Sequence, residues 1–159
     1  MNINIVAVGK MKEDFLKNAC AEYAKRMSRF CKLQVIEVPD EPMSDRPTES
    51  EKQAILQKES AKILRAVKNT DVLISLCVEG KQMASETFAE FLKEECVNGA
   101  NTFTFIIGGS LGLSEEIKQQ SHLKLSFSKM TFPHQLMRVV LMEQIYRAFK
   151  INANESYHK

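Results

Sequence analysis

Short apolar runs and helix-period patterns alternate from one end of the chain to the other, and this alternation limits the possible folds more than any single motif. Ile3 to Val8 reads as a buried strand, closed by Gly9. Glu13 to Arg29 places Phe15, Ala19, Tyr23 and Met27 at helical spacing. Lys32 to Val38 is a second strand, and the proline-rich stretch from Pro39 to Pro47 is an exposed loop. Thr48 then caps a helix running to about Lys68, with Glu51 in the capping-box position. Val72 to Val78 is nearly continuous in apolar character, as in a strand buried on both faces. Ser85 to Cys96 reads as a helix, Thr102 to Ile107 as a fourth strand, and Ser114-Glu115-Glu116 as the start of a short helix. Leu123 to Phe127 is a fifth, short strand, and Pro133 opens a final helix to about Lys150, followed by a polar tail.

Strands that alternate with helices pair in parallel, so the pattern predicts an α/β fold: an open parallel sheet with helices on both faces. No linker or internal repeat divides the chain, and residues 1–159 are expected to form one domain. In such sheets the ligand sits beyond the C-terminal ends of the strands. The positions of interest are therefore those around Leu76, after Ile107 and after Ser126.

Composition narrows the classes further. Hydrophobic residues at 44% and charged residues at 26% describe a globular protein rather than a disordered one. There is no run of about 18 apolar residues to span a membrane. The stretch from Met1 to Lys10 has no basic region ahead of its apolar run, so no secretory signal is expected. Cys20, Cys31, Cys77 and Cys96 form no C-x-x-C pair, and no histidine stands at ligand spacing beside them. They are expected to be reduced thiols in a cytoplasmic protein, with no metal site.

Two loops follow strand ends. In Gly108-Gly109-Ser110-Leu111-Gly112, several glycines would let the backbone approach a ligand closely. The order fits neither a dinucleotide fingerprint nor a Walker A loop, and a plain tight turn is the competing reading. The stretch Phe127-Ser128-Lys129-Met130-Thr131-Phe132 before Pro133 is rich in small hydroxyl and apolar residues. It would suit an apolar, planar ligand read at its edge by backbone groups, or serve as an ordinary connection. The final helix carries two apolar stripes, one through Met137, Leu141 and Ile145 and the other through Leu136, Met142 and Tyr146. A helix apolar on two sides is covered on two sides, either deep inside one subunit or against a second copy. The tail Asn154 to Lys159 reads as frayed, although Tyr157, His158 and Lys159 together carry RNA-contacting chemistry.

Taken in order, Val6-Ala7-Val8-Gly9-Lys10, Leu76 to Lys81, Ile106 to Gly112, Leu125 to Arg138 and Tyr157-His158-Lys159 resemble one known family over the full length. The family is the SPOUT-class pseudouridine-N3 methyltransferases of the large ribosomal subunit, the H-type 23S rRNA enzymes. The resemblance implies a sheet whose C-terminal part is threaded into a trefoil knot, a homodimer, S-adenosylmethionine as methyl donor and no metal. It implies a cofactor site at Leu76, Gly108, Phe127, Ser128, Lys129, Met130, Thr131 and Phe132. By position it assigns Tyr157 and His158 to the acceptor end of the site and Arg138 to RNA or anion contact. Ser110-Leu111 departs from the family pattern, where a proline or an acidic residue is more usual. The residues alone also admit a non-catalytic dimeric nucleotide- or ribosome-binding module, or a SPOUT methyltransferase acting on tRNA.

The formal net charge of +2 is unevenly spread. Residues 117–159 carry seven basic and two acidic side chains, and the rest of the chain is net −3. This distribution predicts a basic face at the C-terminal end, suited to a folded RNA.

Overall fold

A computed structural model describes residues 1–159. Five parallel strands lie in the order β2-β1-β4-β3-β5. They are β1 (Asn2–Val8), β2 (Lys32–Val38), β3 (Val72–Lys81), β4 (Thr102–Ile107) and β5 (Leu123–Leu125). The helices are α1 (Asp14–Met27), α2 (Glu49–Ala66), α3 (Ser85–Val97), α4 (Glu115–Gln120) and α5 (His134–Asn152).

The alternation of side chains along each strand sorts the core into two layers. Ile3, Ile5, Ala7, Ile74, Phe103, Phe105 and Ile107 face α1, α3 and α5, where Met27, Leu92, Leu141 and Ile145 complete the larger core. Val6, Val8, Leu73 and Ile106 face α2 and α4, where Ile63 and Ile117 close a smaller one. Helices therefore cover both faces. The inner strands β1 and β4 are buried on both sides over Ile5–Val8 and Phe103–Ile107, where the residues are apolar apart from Thr104.

Local signals set several boundaries. Thr48 and Glu51 form a complete capping box, with Thr48 N donating to Glu51 at 2.8 Å and Glu51 N to Thr48 at 3.2 Å. The Asp71 carboxylate accepts from the N–H groups of Asn101 and Thr102, both at 2.8 Å, and so pins the start of β4 beside β3. Both N–H groups hold the Asp71 carboxyl below its usual range, Asn101 foremost.

The structure differs from the sequence reading at two ends. β3 continues to Lys81, and β5 stops at Leu125. The two facts have one cause. Leu125 pairs with Leu76 and again with Lys81, and Ser126 N donates to Lys81 O at 3.0 Å. The segment after Leu76 thus curls around the end of β5. Gly80 permits this, because a Cβ there would stand 2.7 Å from the Lys124 carbonyl.

The two stripes of α5 are covered in different ways. From Leu141 to Phe149 most of the helix is buried inside this chain. Its first turns leave Leu136 38% exposed, and Phe15 of α1 and Phe132 ahead of α5 are also exposed.

Candidate functional site

Leu76 is in register with Ile107 on one side and Leu125 on the other. β4 and β5 therefore end level with Leu76 of β3, and the segments that continue from these three positions diverge around a cavity of about 350 Å³. Its walls are Leu76 to Glu79, the glycine loop Gly108–Gly112, and Ser126 to Phe132 apart from Lys129. Mixed apolar and backbone walls of this size suit a small planar ligand.

The glycine loop is folded tightly on itself. Gly112 N donates to Gly109 O at 3.0 Å, and a Cβ on Gly108 would stand 2.5 Å from Gly112 O. No side chain fits at position 108 without opening the loop. On the opposite wall Ser126 Oγ donates to Ser128 O and Met130 N donates to Ser128 Oγ, each at 3.0 Å. These bonds set the turn that presents Phe127, Thr131 and Phe132 to the cavity. Lys129 differs from expectation: its side chain is exposed and does not line the cavity.

Glu79 and Lys118 meet at the cavity wall as an ion pair, and Lys118 is shared with Glu115 at 3.2 Å. The hydrogen bond from Lys118 holds the Glu79 carboxyl below its usual range. His134, at the start of α5, also lines the cavity.

The expected RNA contact at Arg138 is corrected by its burial. Arg138 is 3% exposed, donates to Glu37 Oε1 at 2.6 Å and to Gly9 O at 3.1 Å, and does not line the cavity. A guanidinium enclosed in this way has no surface to offer a phosphate.

The tail is docked rather than frayed. Tyr157 donates to Glu143 at 3.1 Å, its ring packs edge-on to Tyr146, and Arg147 lies over it at 4.8 Å. Burial, then the Glu143 carboxylate, push the Tyr157 hydroxyl up to about 12. It is a neutral hydrogen-bond donor at physiological pH. His158 lies between Arg147 at 3.2 Å and Glu86 at 2.6 Å. Arginine only donates, so Nδ1 accepts from Arg147 and Nε2–H donates to Glu86. Neither residue lines the cavity of its own chain.

A family model described as "Predicted SPOUT methyltransferase" matches residues 1–158. The chain belongs to the SPOUT methyltransferase family. It is 53% identical over its full length, and the full length of the relative, to "Ribosomal RNA large subunit methyltransferase H" of Clostridium novyi. It is 49% identical, again over the whole of both chains, to the protein of that name from Streptococcus uberis. Among solved structures it shares its fold with TrmJ from Z. mobilis (TM-score 0.53, 12% identity), covering 93% of this chain and 70% of that one. A Legionella pneumophila protein with the cofactor SAM bound gives a TM-score of 0.50 at 9% identity, covering 94% and 66%.

Three polar residues at or beside this cavity were not singled out in the sequence. Glu79 follows Leu76 in a stretch already matched to the family, so its position was available. Lys118 arrives from α4 and Glu59, behind the glycine loop, from α2. Nothing local in either helix marks them, because the sheet order brings them to the site.

Proposed function

We propose that this SPOUT methyltransferase uses S-adenosylmethionine to methylate N3 of a pseudouridine in the 23S rRNA of the large ribosomal subunit. The observation that carries this reading is the convergence of Leu76, Gly108 and, apart from Lys129, Phe127–Phe132 on one cavity of about 350 Å³. The family membership and the full-length identity to proteins named for large-subunit rRNA methylation support it.

The cavity fits the donor chemically. An adenine ring needs a flat apolar slot with backbone groups at its edge, and the Leu76, glycine-loop and Phe127–Phe132 walls provide one. When bound, the donor supplies an already activated methyl group, so no metal is required. The chain's task is then to hold the acceptor nitrogen in line and to favour loss of its proton.

Tyr157 and His158 remain the residues we assign to the acceptor end. In their own chain they lie outside the cavity, and His158 has no lone pair free of Arg147. We therefore place their action at the cavity of a partner copy, in a homodimer. The exposed Leu136, Phe15 and Phe132 support such an interface. The double pairing of Leu125 with Leu76 and Lys81 supports the threading that a trefoil knot requires. Both the dimer and a cytoplasmic setting belong to this proposal; no helix is long and apolar enough to cross a membrane.

The deciding experiment is mass mapping of 23S rRNA from a strain lacking the gene. Loss of one methyl group at a pseudouridine, restored by the gene, is expected. An unchanged rRNA with a change in tRNA would move the acceptor. Calorimetry with S-adenosylmethionine and S-adenosylhomocysteine should show binding of both.

A further inference from the structure

The cavity holds no unpaired anion. Its carboxylate, Glu79, is neutralised by Lys118. The proposed donor brings two cationic centres, a sulfonium and an α-ammonium. Behind the glycine loop lies a second hollow of about 40 Å³, walled partly by the same Gly109, Ser110, Leu111 and His134. Its remaining polar walls are Asp40, Glu41 and Glu59.

Glu59 is the unusual member. It is 6% exposed, and its Oε2 has no hydrogen-bond partner. Its Oε1 accepts only from Glu41 N, at 3.4 Å. Buried polar groups are nearly always satisfied, and an orphaned carboxylate oxygen is expensive. Burial pushes the Glu59 carboxyl up, as expected for a group lacking a cation. Lys62 is not that cation: it pairs with Glu41 at 2.7 Å. Asp40 has no ion-pair partner either. The position of Gly109 leaves the carboxylate open to the loop, since a Cβ there would stand 3.1 Å from Glu59 Oε2.

The hollow is sized for one compact group, about that of a water molecule. The acidic side chains do not form a cluster able to hold a metal ion. A primary ammonium satisfies all these conditions. It is small and cationic, carries three N–H donors, and occurs on the ligand whose adenosine end we place on the other side of Gly109–Leu111.

We propose that Glu59, backed by Asp40, is the receptor for the α-ammonium of the methyl donor's amino-acid end. This deepens the S-adenosylmethionine reading and rests on it. The hollow gives the enzyme a way to tell a complete donor from adenosine fragments, and the glycine loop becomes a partition read from both sides.

The test compares S-adenosylhomocysteine with its desamino analogue, which differs only by the missing amine, by calorimetry on the full chain. Wild type is expected to favour the amine by about tenfold or more, the scale of a charge-assisted hydrogen bond. Glu59→Gln should weaken S-adenosylhomocysteine by that factor and leave the analogue unchanged. Asp40→Asn, at an exposed position, should lower the same ratio by about threefold, the scale of a screened contact. It carries the test if Glu59→Gln does not fold, and an unchanged ratio there would overturn the proposal. Equal wild-type affinity for both ligands, or equal weakening of both by Glu59→Gln, also overturns it and leaves the cofactor reading intact. Binding of neither ligand by wild type overturns both.

Discussion

Arg138, 3% exposed in the second turn of α5, donates to Glu37 at 2.6 Å at the end of β2. It also holds the Gly9 carbonyl, at 3.1 Å, at the end of β1. One side chain thus ties the start of α5, and with it the loop Phe127–Phe132, to two strand ends on the opposite side of the sheet. Arg138→Met should cost about 3 kcal/mol of stability, the low end of the range for breaking a buried pair because Glu37 keeps some contact with water. Urea unfolding checks this. An RNA-contacting arginine would instead leave stability unchanged and weaken RNA binding alone.

Acid should destabilise the fold through named carboxylates. Burial works to raise Glu37, but Arg138 and the Met11 N–H outweigh it, and its carboxyl lies below the usual range. Asp71 and Glu79 are also lowered, by backbone N–H groups and by Lys118. A lowered carboxyl contributes stability above its unfolded value and loses it as pH falls through the folded one. The urea midpoint should therefore drop steadily below about pH 4.5, from the ordinary carboxylate range downward. Glu59 has the opposite sign. Its raised carboxyl costs stability once ionised, so Glu59→Gln should raise the midpoint at neutral pH.

The order of elements was legible because strand and helix periods differ and the capping signals are local. Thr48 and Glu51 announce α2, and the nearly continuous apolar run Val72–Val78 announces burial on both faces, which holds for Val72 to Ser75 and fades toward Val78. The strand-end rule pointed to Leu76, Gly108 and the loop after Ser126 before any side chain was placed. What the sequence concealed is long-range. The second pairing of Leu125 depends on a chain crossing that periodicity does not encode. The basic C-terminal segment misled for the same reason. Lys118, Arg138, Arg147 and Lys150 all find carboxylates, two of them in residues 117–159 and the rest elsewhere in the chain, which leaves Lys124, Lys129 and Lys159 in no ion pair. A tally of charge cannot see its pairing.

Gly108 should be the least replaceable position in the cavity wall. Its Cβ would meet Gly112 O at 2.5 Å, a backbone atom that has no rotamer with which to yield. Gly108→Ala is expected to open the glycine loop and weaken S-adenosylhomocysteine by about a hundredfold, the scale of a lost pre-formed site. Circular dichroism should show the secondary structure retained, since Gly108 lies just past β4. Calorimetry showing binding within about threefold of wild type would mean that the loop does not bound the cofactor site.

Removing residues 157–159 separates the tail's two roles. Within one chain the tail packs Tyr157 on Tyr146 and ties His158 to α3 and α5, contacts whose loss should cost about 1–2 kcal/mol. That loss alone would lower the midpoint and leave methyl transfer intact at low temperature. If the tail completes the acceptor end of a partner's cavity, the truncated protein should still bind S-adenosylhomocysteine with wild-type affinity yet transfer methyl to rRNA at least about a hundredfold more slowly. Mixing it with a full-length chain carrying Gly108→Ala makes the geometry explicit. A tail acting across the dimer restores activity in the mixed species, because the truncated copy supplies the cofactor site and the other copy supplies the tail. A tail acting on its own cavity restores none.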